Sequence, residues 1–480
     1  MVWSIGTLRW MIQFGLCVMS LGCVSVSGSF SFEIHHRFSE QVKTVLGGHG
    51  LPEMGTLDYY EALVHRDRGR RLTSNNNQTM VSFAQGNSTK EISFLHYANV
   101  TVGTPAQWFL VALDTGSDLF WLPCNCNSTC VRSMETDQGE RIKLNIYDPT
   151  KSTSSSKVPC NSTLCALRNR CVSPFSDCPY RIRYLSPGSR STGVLVEDMI
   201  HMSTEEGEAR DARITFGCSE SQLGLFQESA VNGIMGLSIA DLAVPNMLAK
   251  AGMASDSFSM CFGLNGKGTI SFGDKGSSDQ LETPLSGTLS PPFYDVTITK
   301  FKVGKVTVET EFDAIFDSGT AFHLSVPDRR LPATKNNPFE FCYIITSATD
   351  EEKIPSISFQ MKGGATYNVF SPILVFDTTN GGEVYCLAVL KEVTADFNII
   401  GQNFMTNYRI VHDRERMILG WKESDCNDEN RLTGPTASAK PPLLPPMPSS
   451  RPKNPSARLN PLAASSLFII LLGFISFVYL

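Results

Sequence analysis

Apolar positions along this chain fall into short runs closed by glycine-containing turns, a pattern of β-strands more than of helices. One run, Phe109-Leu110-Val111-Ala112-Leu113, leads into Asp114-Thr115-Gly116-Ser117. Another, Ala314-Ile315-Phe316, leads into Asp317-Ser318-Gly319-Thr320, 203 residues further on. Each predicts a strand that ends in a tight turn. A second shared element follows each of them. Asn232-Gly233-Ile234-Met235-Gly236-Leu237 comes after the first, and Asn398-Ile399-Ile400-Gly401-Gln402 after the second. The same unit therefore occurs twice.

The two ends carry different patterns. Arg9 precedes an apolar stretch from Met11 to Val26, and small residues at Val26 and Gly28 follow it, as in a cleaved secretory leader over residues 1–28. Ser20, Ser25 and Ser27 interrupt the stretch and argue against a membrane-spanning anchor. Near the other end, Gly434 to Pro461 holds nine prolines in 28 residues, the composition of a stiff stalk, assigned to 427–462. Leu467 to Leu480 then runs 14 residues without a charge. That is short of the roughly 20 residues a membrane helix needs. With small residues at Asn454, Ser456 and Ala457, residues 463–480 fit a removable lipid-anchor signal better, although Pro455 departs from the ideal attachment site.

Composition narrows the class. Of 480 residues 42% are hydrophobic and 18% charged, enough to bury real cores and too varied for a coiled coil. With 37 glycines and 26 prolines the chain reads as mostly β, and its length fits one large bilobed molecule or two to three domains. A formal charge of −6 gives no electrostatic reason to expect nucleic acid. Fourteen cysteines, less Cys17 and Cys23 of the leader, leave an even set: Cys124, Cys126, Cys130, Cys160, Cys165, Cys171, Cys178, Cys218, Cys261, Cys342, Cys386 and Cys426. Cys124, Cys126 and Cys130 could be read as zinc ligands, but no second paired knuckle accompanies them, and export favours disulfides. Sequons at Asn77, Asn87, Asn99, Asn127 and Asn161 suit the same route. The eight histidines are scattered, and neither a metal nor a cofactor is expected.

Two aspartates in matched turns point to a specific chemistry. Hydrolysing a peptide bond without a metal or covalent nucleophile needs a base to activate water and an acid to protonate the carbonyl oxygen. Two close carboxylates sharing one proton supply both. Small glycines let the turns approach, and the neighbouring hydroxyls can hydrogen-bond the carboxylates and the opposite turn. Neither Gly-x-Ser-x-Gly nor His-Glu-x-x-His occurs, which sets aside serine hydrolases and zinc peptidases of those kinds.

On these residues the chain resembles the pepsin-type aspartic proteases, in particular the plant nepenthesin-like group, over roughly Phe30 to Cys426. Trp121 stands where the family has a tryptophan, seven residues after Asp114. Tyr180 to Tyr184, Pro187-Gly188-Ser189 and Thr192 to Leu195 resemble its flap hairpin. The stretch from Cys124 to Cys178 resembles the group's cysteine-rich insertion, and Phe32 to Arg37 the opening of its prosegment. The resemblance implies a mostly β, bilobed fold with the active site between two barrel-like lobes. Asp114 and Asp317 would be the catalytic dyad of an acid-active endopeptidase, with Gly116 and Gly319 in the turns. Thr115 and Ser318 would brace the turns against each other, and Ser117 and Thr320 would hydrogen-bond the outer carboxylate oxygens. Tyr184 would lie over the cleft, with Trp121 and Phe120 beside apolar substrate pockets.

Further expectations combine this likeness with the composition of the leader, stalk and tail. A disulfide would join Cys342 to Cys386, and Cys218 would tie to Cys426. The chain would divide into a leader (1–28), a prosegment (29–80), an N-terminal lobe (81–288), a C-terminal lobe (289–426), the stalk and the tail. It would act on proteins or peptides as a monomer, extracellular or lipid-anchored at the cell surface. One segment departs from the pattern. Leu324 to Glu340 contains Pro327, Pro332 and Pro338 where relatives have an amphipathic helix. That departure leaves an alternative, a protease-shaped binding protein or inhibitor with an impaired cleft.

Overall fold

The computed structural model describes residues 29–426 apart from 47–50, 55, 70–94, 127–128, 136–140, 185–187, 204–207, 225, 227–231, 265, 290–292, 320–338, 340–341, 346–355, 371, 378–382 and 390–397. Thr320 and nearly all of the proline-bearing segment, Phe339 excepted, lie outside the described residues, as do the leader, stalk and tail and the sequons at Asn77, Asn87 and Asn127. Asn99 and Asn161 are exposed.

Strands dominate, as the glycine-bounded apolar runs predict. The strand Gln107–Asp114 is buried over its last six residues, so its continuous apolar run is covered on both faces. Val306–Asp317 alternates between exposed and half-buried positions until Asp313, then is buried from Ala314 to its end. A half-solvated strand thus becomes a core strand as it nears its aspartate.

A fourteen-stranded sheet contains the first of these strands, and a five-stranded sheet contains the second. In both, the repeated sequence elements pair in parallel. Ile234–Gly236 runs beside Gln107–Asp114 with Gly236 opposite Asp114, and Asn398–Gly401 runs beside Val306–Asp317 with Gly401 opposite Asp317. The larger sheet also takes in distant chain. Phe30–His36 lies between Lys267–Phe272 and His96–Val102, and Tyr408–Asp413 pairs with Ser257–Phe262. Strands from both ends of the described chain therefore share one sheet. A continuous apolar cluster runs from Phe109 and Phe216 through Phe258 and Tyr294 to Phe316, Phe359 and Trp421. Each such side chain contributes roughly 1.5–3 kcal/mol by leaving water. Among the described residues no helix is long and apolar enough to cross a membrane.

Six disulfides use all twelve cysteines: Cys124–Cys218, Cys126–Cys130, Cys160–Cys171, Cys165–Cys178, Cys261–Cys426 and Cys342–Cys386. The sulfurs of Cys160, Cys165 and Cys171 lie within 4.8 Å of one another, but each is bonded to another cysteine and offers no thiolate. Cys342 and Cys386 face each other across two antiparallel strands, as the resemblance implies. The expected tie between Cys218 and Cys426 is wrong, and strand register gives the reason. Cys218 pairs alongside Leu122, and Cys124 N–H donates to Ser219 O (3.0 Å), which brings Cys124 next to Cys218. Cys426 is carried instead to the end of Ser257–Phe262, through Ser424 N–H to Asn407 O (2.9 Å) and Asn407 N–H to Phe262 O (2.8 Å).

Candidate active site

The two aspartyl turns meet and hold each other by reciprocal hydrogen bonds. Thr115 N–H donates to Ser318 Oγ (3.3 Å), and Ser318 N–H donates to Thr115 Oγ1 (3.0 Å). The Thr115 hydroxyl donates onward to Phe316 O (3.4 Å). Within each turn the glycine N–H donates back to its aspartate: Gly116 to Asp114 Oδ1 (3.1 Å) and Gly319 to Asp317 Oδ1 (2.8 Å). Both aspartates are buried, 1% and 6% exposed. A methyl group placed on Gly116 would sit 3.4 Å from Asp114 Oδ1 and 3.4 Å from Asp317 Oδ1. The bare glycine therefore lies between two carboxylates that converge on one point.

The turns are fixed from below as well. Leu237 N–H donates to Asp114 O (2.9 Å), and Tyr294 OH donates to Leu237 O (2.9 Å). Tyr294 O in turn accepts from Phe316 N–H (3.0 Å), so one tyrosine touches the supports of both aspartates. Gly236 tolerates no side chain, because an added methyl would come within 2.5 Å of Leu119 N. Beside the dyad, Tyr184 OH accepts from Trp121 Nε1 (2.7 Å). Phe226 packs edge-on to Tyr184 at 4.9 Å. Burial above all, then the nearby Asp114 charge, pushes the Tyr184 phenol well above its ordinary pKa, outweighing the Trp121 hydrogen bond. It stays a neutral hydroxyl.

Comparison with known proteins places this geometry. Residues 96–274 match the family described as "Xylanase inhibitor N-terminal", and residues 296–423 match "Xylanase inhibitor C-terminal". "Aspartyl protease family protein 1" of Arabidopsis thaliana is 50% identical over 463 residues, covering 91% of this chain and 88% of that protein. The chain belongs to the plant pepsin-type aspartic protease family. "Aspartic proteinase nepenthesin-1" of Nepenthes gracilis is 24% identical over 414 residues, covering 76% of this chain and 89% of its own. The crystal structure of conglutin gamma, a basic 7S globulin from lupine seeds, aligns with a TM-score of 0.54 at 16% identity, over 82% of this chain and 95% of the lupine protein. That likeness speaks for the fold alone.

Within this aspartic protease fold the predicted site residues take different places. Asp114, Thr115, Gly116, Asp317, Ser318 and Gly319 come together, with Trp121 and Tyr184 alongside. Ser117 does not do what was expected of it. Its hydroxyl is buried and makes no hydrogen bond to a carboxylate among the described residues, while its backbone carbonyl accepts from Ser238 N–H (3.1 Å). Phe120 is also corrected. It packs on Phe216 at 5.5 Å within the large core cluster, whereas Trp121, equally buried, packs in the cluster with Phe226 and Tyr184. Trp121, not Phe120, meets Tyr184.

No role is assigned from the sequence to Tyr294 or Phe226, nor to the two asparagines that open the repeated element. Asn232 Oδ1 accepts from Leu110 N–H (3.2 Å), and Asn398 Nδ2 donates to Asp313 O (3.1 Å), each bracing the strand before an aspartate. Their recurrence at matched positions was a readable signal. Tyr294 and Phe226 have no counterpart in the repeat and offered none.

Proposed function

We propose that the protein is an exported aspartic endopeptidase, in which Asp114 and Asp317 activate a water between them for attack on a peptide carbonyl. One carboxylate takes the water's proton while the other, protonated, donates to the carbonyl oxygen. The observation that carries this reading is the reciprocal pair of hydrogen bonds between Thr115 and Ser318, which supports a dyad held in fixed register. Tyr184, kept neutral and oriented by Trp121, covers the bound peptide as a hydroxyl. Two close carboxylates lose their shared proton as pH rises, so activity peaks in acid.

The substrate is a polypeptide, and the protein works as a monomer without cofactor. The leader directs it outward, residues 29–80 act as a prosegment between leader and lobes, and the stalk and tail place it on a lipid anchor at the cell surface. Asp114→Asn and Asp317→Asn should each lower peptide hydrolysis at least about a hundredfold. Undiminished turnover in both would overturn the dyad. Phosphatidylinositol-specific phospholipase should release the protein from cells, and recovery of Leu467–Leu480 in the mature chain would exclude the anchor.

A further inference from the structure

The flap hairpin carries a surface that the dyad does not use. In Pro179–Arg183, Tyr180 and Ile182 turn inward while Arg181 and Arg183 are exposed. Arg183 pairs directly opposite Arg190 on the next strand, so two cations stand side by side on one face. Arg170 joins them from the neighbouring loop, which Cys160–Cys171 and Cys165–Cys178 staple. Arg183 foremost, then partial desolvation, and after it Arg170 and Arg190, hold the Arg181 guanidinium below its ordinary pKa.

None of these four arginines forms an ion pair with a described residue. Asp177, two residues before the hairpin strand, is occupied by Lys157 at 2.9 Å. Elsewhere Arg210, Arg409, Arg414 and Arg416 each meet a carboxylate. In a chain with a formal charge of −6, four uncompensated arginines on one hairpin and its neighbouring loop repel one another, and that costs stability. The same stapled loop exposes two large apolar side chains, Val172 at 97% and Phe175 at 83%. One exposed apolar side chain is ordinary, but two within four residues of a cross-linked loop offer a partner apolar surface.

We infer that the outer face of the flap hairpin and the stapled loop dock an acidic segment of the polypeptide whose scissile bond lies in the cleft. The charge calls for an anion. Val172 and Phe175 call for apolar side chains next to it, which a polypeptide has and an acidic polysaccharide lacks. The hairpin ends at Tyr184 beside the dyad, so a chain lying along its outer face is close enough to enter the cleft. This inference rests on the protease reading for the cleft's occupant but not for binding itself.

The test is therefore split. Anisotropy of a labelled peptide bearing Asp and Leu residues, and of its Asn counterpart, is measured on the full-length Asp114→Asn protein near pH 5, above the ordinary Asp value of about 3.9. At low salt the Asp peptide should bind about tenfold tighter, about 1.4 kcal/mol. That preference should vanish at 1 M salt, where screening acts over about 3 Å. It should also vanish in a variant combining Arg170→Gln, Arg181→Gln, Arg183→Gln and Arg190→Gln, whose turnover of a neutral peptide should stay unchanged when Asp114 is intact. Val172→Ser with Phe175→Ser should weaken the Asp peptide several-fold. Equal binding of the two peptides, or a preference that survives the four-arginine change, would overturn the docking surface. Tighter binding of polygalacturonate, indifferent to the Val172 and Phe175 changes, would overturn the polypeptide as occupant. If the wild-type protein cleaves no peptide while the Asp preference persists, the protease reading fails and the docking surface stands.

Discussion

His412 sits on Tyr408–Asp413 with neither ring nitrogen hydrogen-bonded, stacked on Phe258 at 4.5 Å and edge-on to Tyr294 at 4.5 Å. Burial first, and Arg414 second, push its pKa down to about 3. Above the unfolded value of about 6.5 both states are neutral; below it the unfolded chain takes a proton that the folded one refuses. Stability therefore falls as pH drops from about 6.5 toward 3, and between pH 7 and 4 this group alone costs about 3 kcal/mol. A protein proposed to work in acid carries, beneath its active site, a residue that weakens it there. His412→Phe should raise the urea midpoint at pH 4 and leave it nearly unchanged at pH 7.5. An equal shift at both values would assign the effect to packing and not to titration.

At the scale of elements, the hairpin of Pro179–Arg183 and Arg190–Ser203 acts as a pair with the short strand Trp121–Pro123. Trp121 reaches the site only through its indole N–H, because the side chain is itself fully buried and packs on Phe226 at 5.5 Å. Trp121→Phe keeps an aromatic ring there and removes the donor to Tyr184. A lost hydrogen bond of this kind is worth about 1 kcal/mol, so kcat/KM for peptide hydrolysis should fall about fivefold. Tyr184→Phe in the same background should then cost little more. If the two losses instead add in full, the hydrogen bond is not what orients the flap.

The hairpin shows how far element-level reading extends. The likeness of Tyr180 to Tyr184 and Pro187-Gly188-Ser189 to the family's flap hairpin was legible in the sequence. Which donor the Tyr184 hydroxyl meets was not, since the Trp121 indole N–H lies on a strand 63 residues away.

For the whole molecule, the sheet shared by both ends of the described chain is closed covalently by Cys261–Cys426, across 165 residues, whereas Cys126–Cys130 closes only four. Cross-links that close longer loops restrict the unfolded chain more, and removing a native bridge typically costs about 2–5 kcal/mol. Cys261→Ala with Cys426→Ala should lower the unfolding midpoint clearly more than Cys126→Ala with Cys130→Ala. Equal losses in denaturant titrations would show that loop length does not govern these bridges.

The sequence by itself determined the strand-rich class and the two aspartyl turns with their glycines. All of these rest on local alternation and on a motif that the chain repeats, and a local pattern needs no knowledge of distant partners. The tertiary structure alone decided that Cys218 meets Cys124 and Cys426 meets Cys261, because disulfide choice follows strand register over long separations. It decided that Phe120 fills the core while Trp121 serves the flap, since one residue of register exchanges the two faces of a strand. It also decided that Ser117 is left without its carboxylate bond and that Tyr294 supports both aspartates. Those outcomes depend on where two remote turns settle against each other, a distance set by the packing of the sheets beneath them.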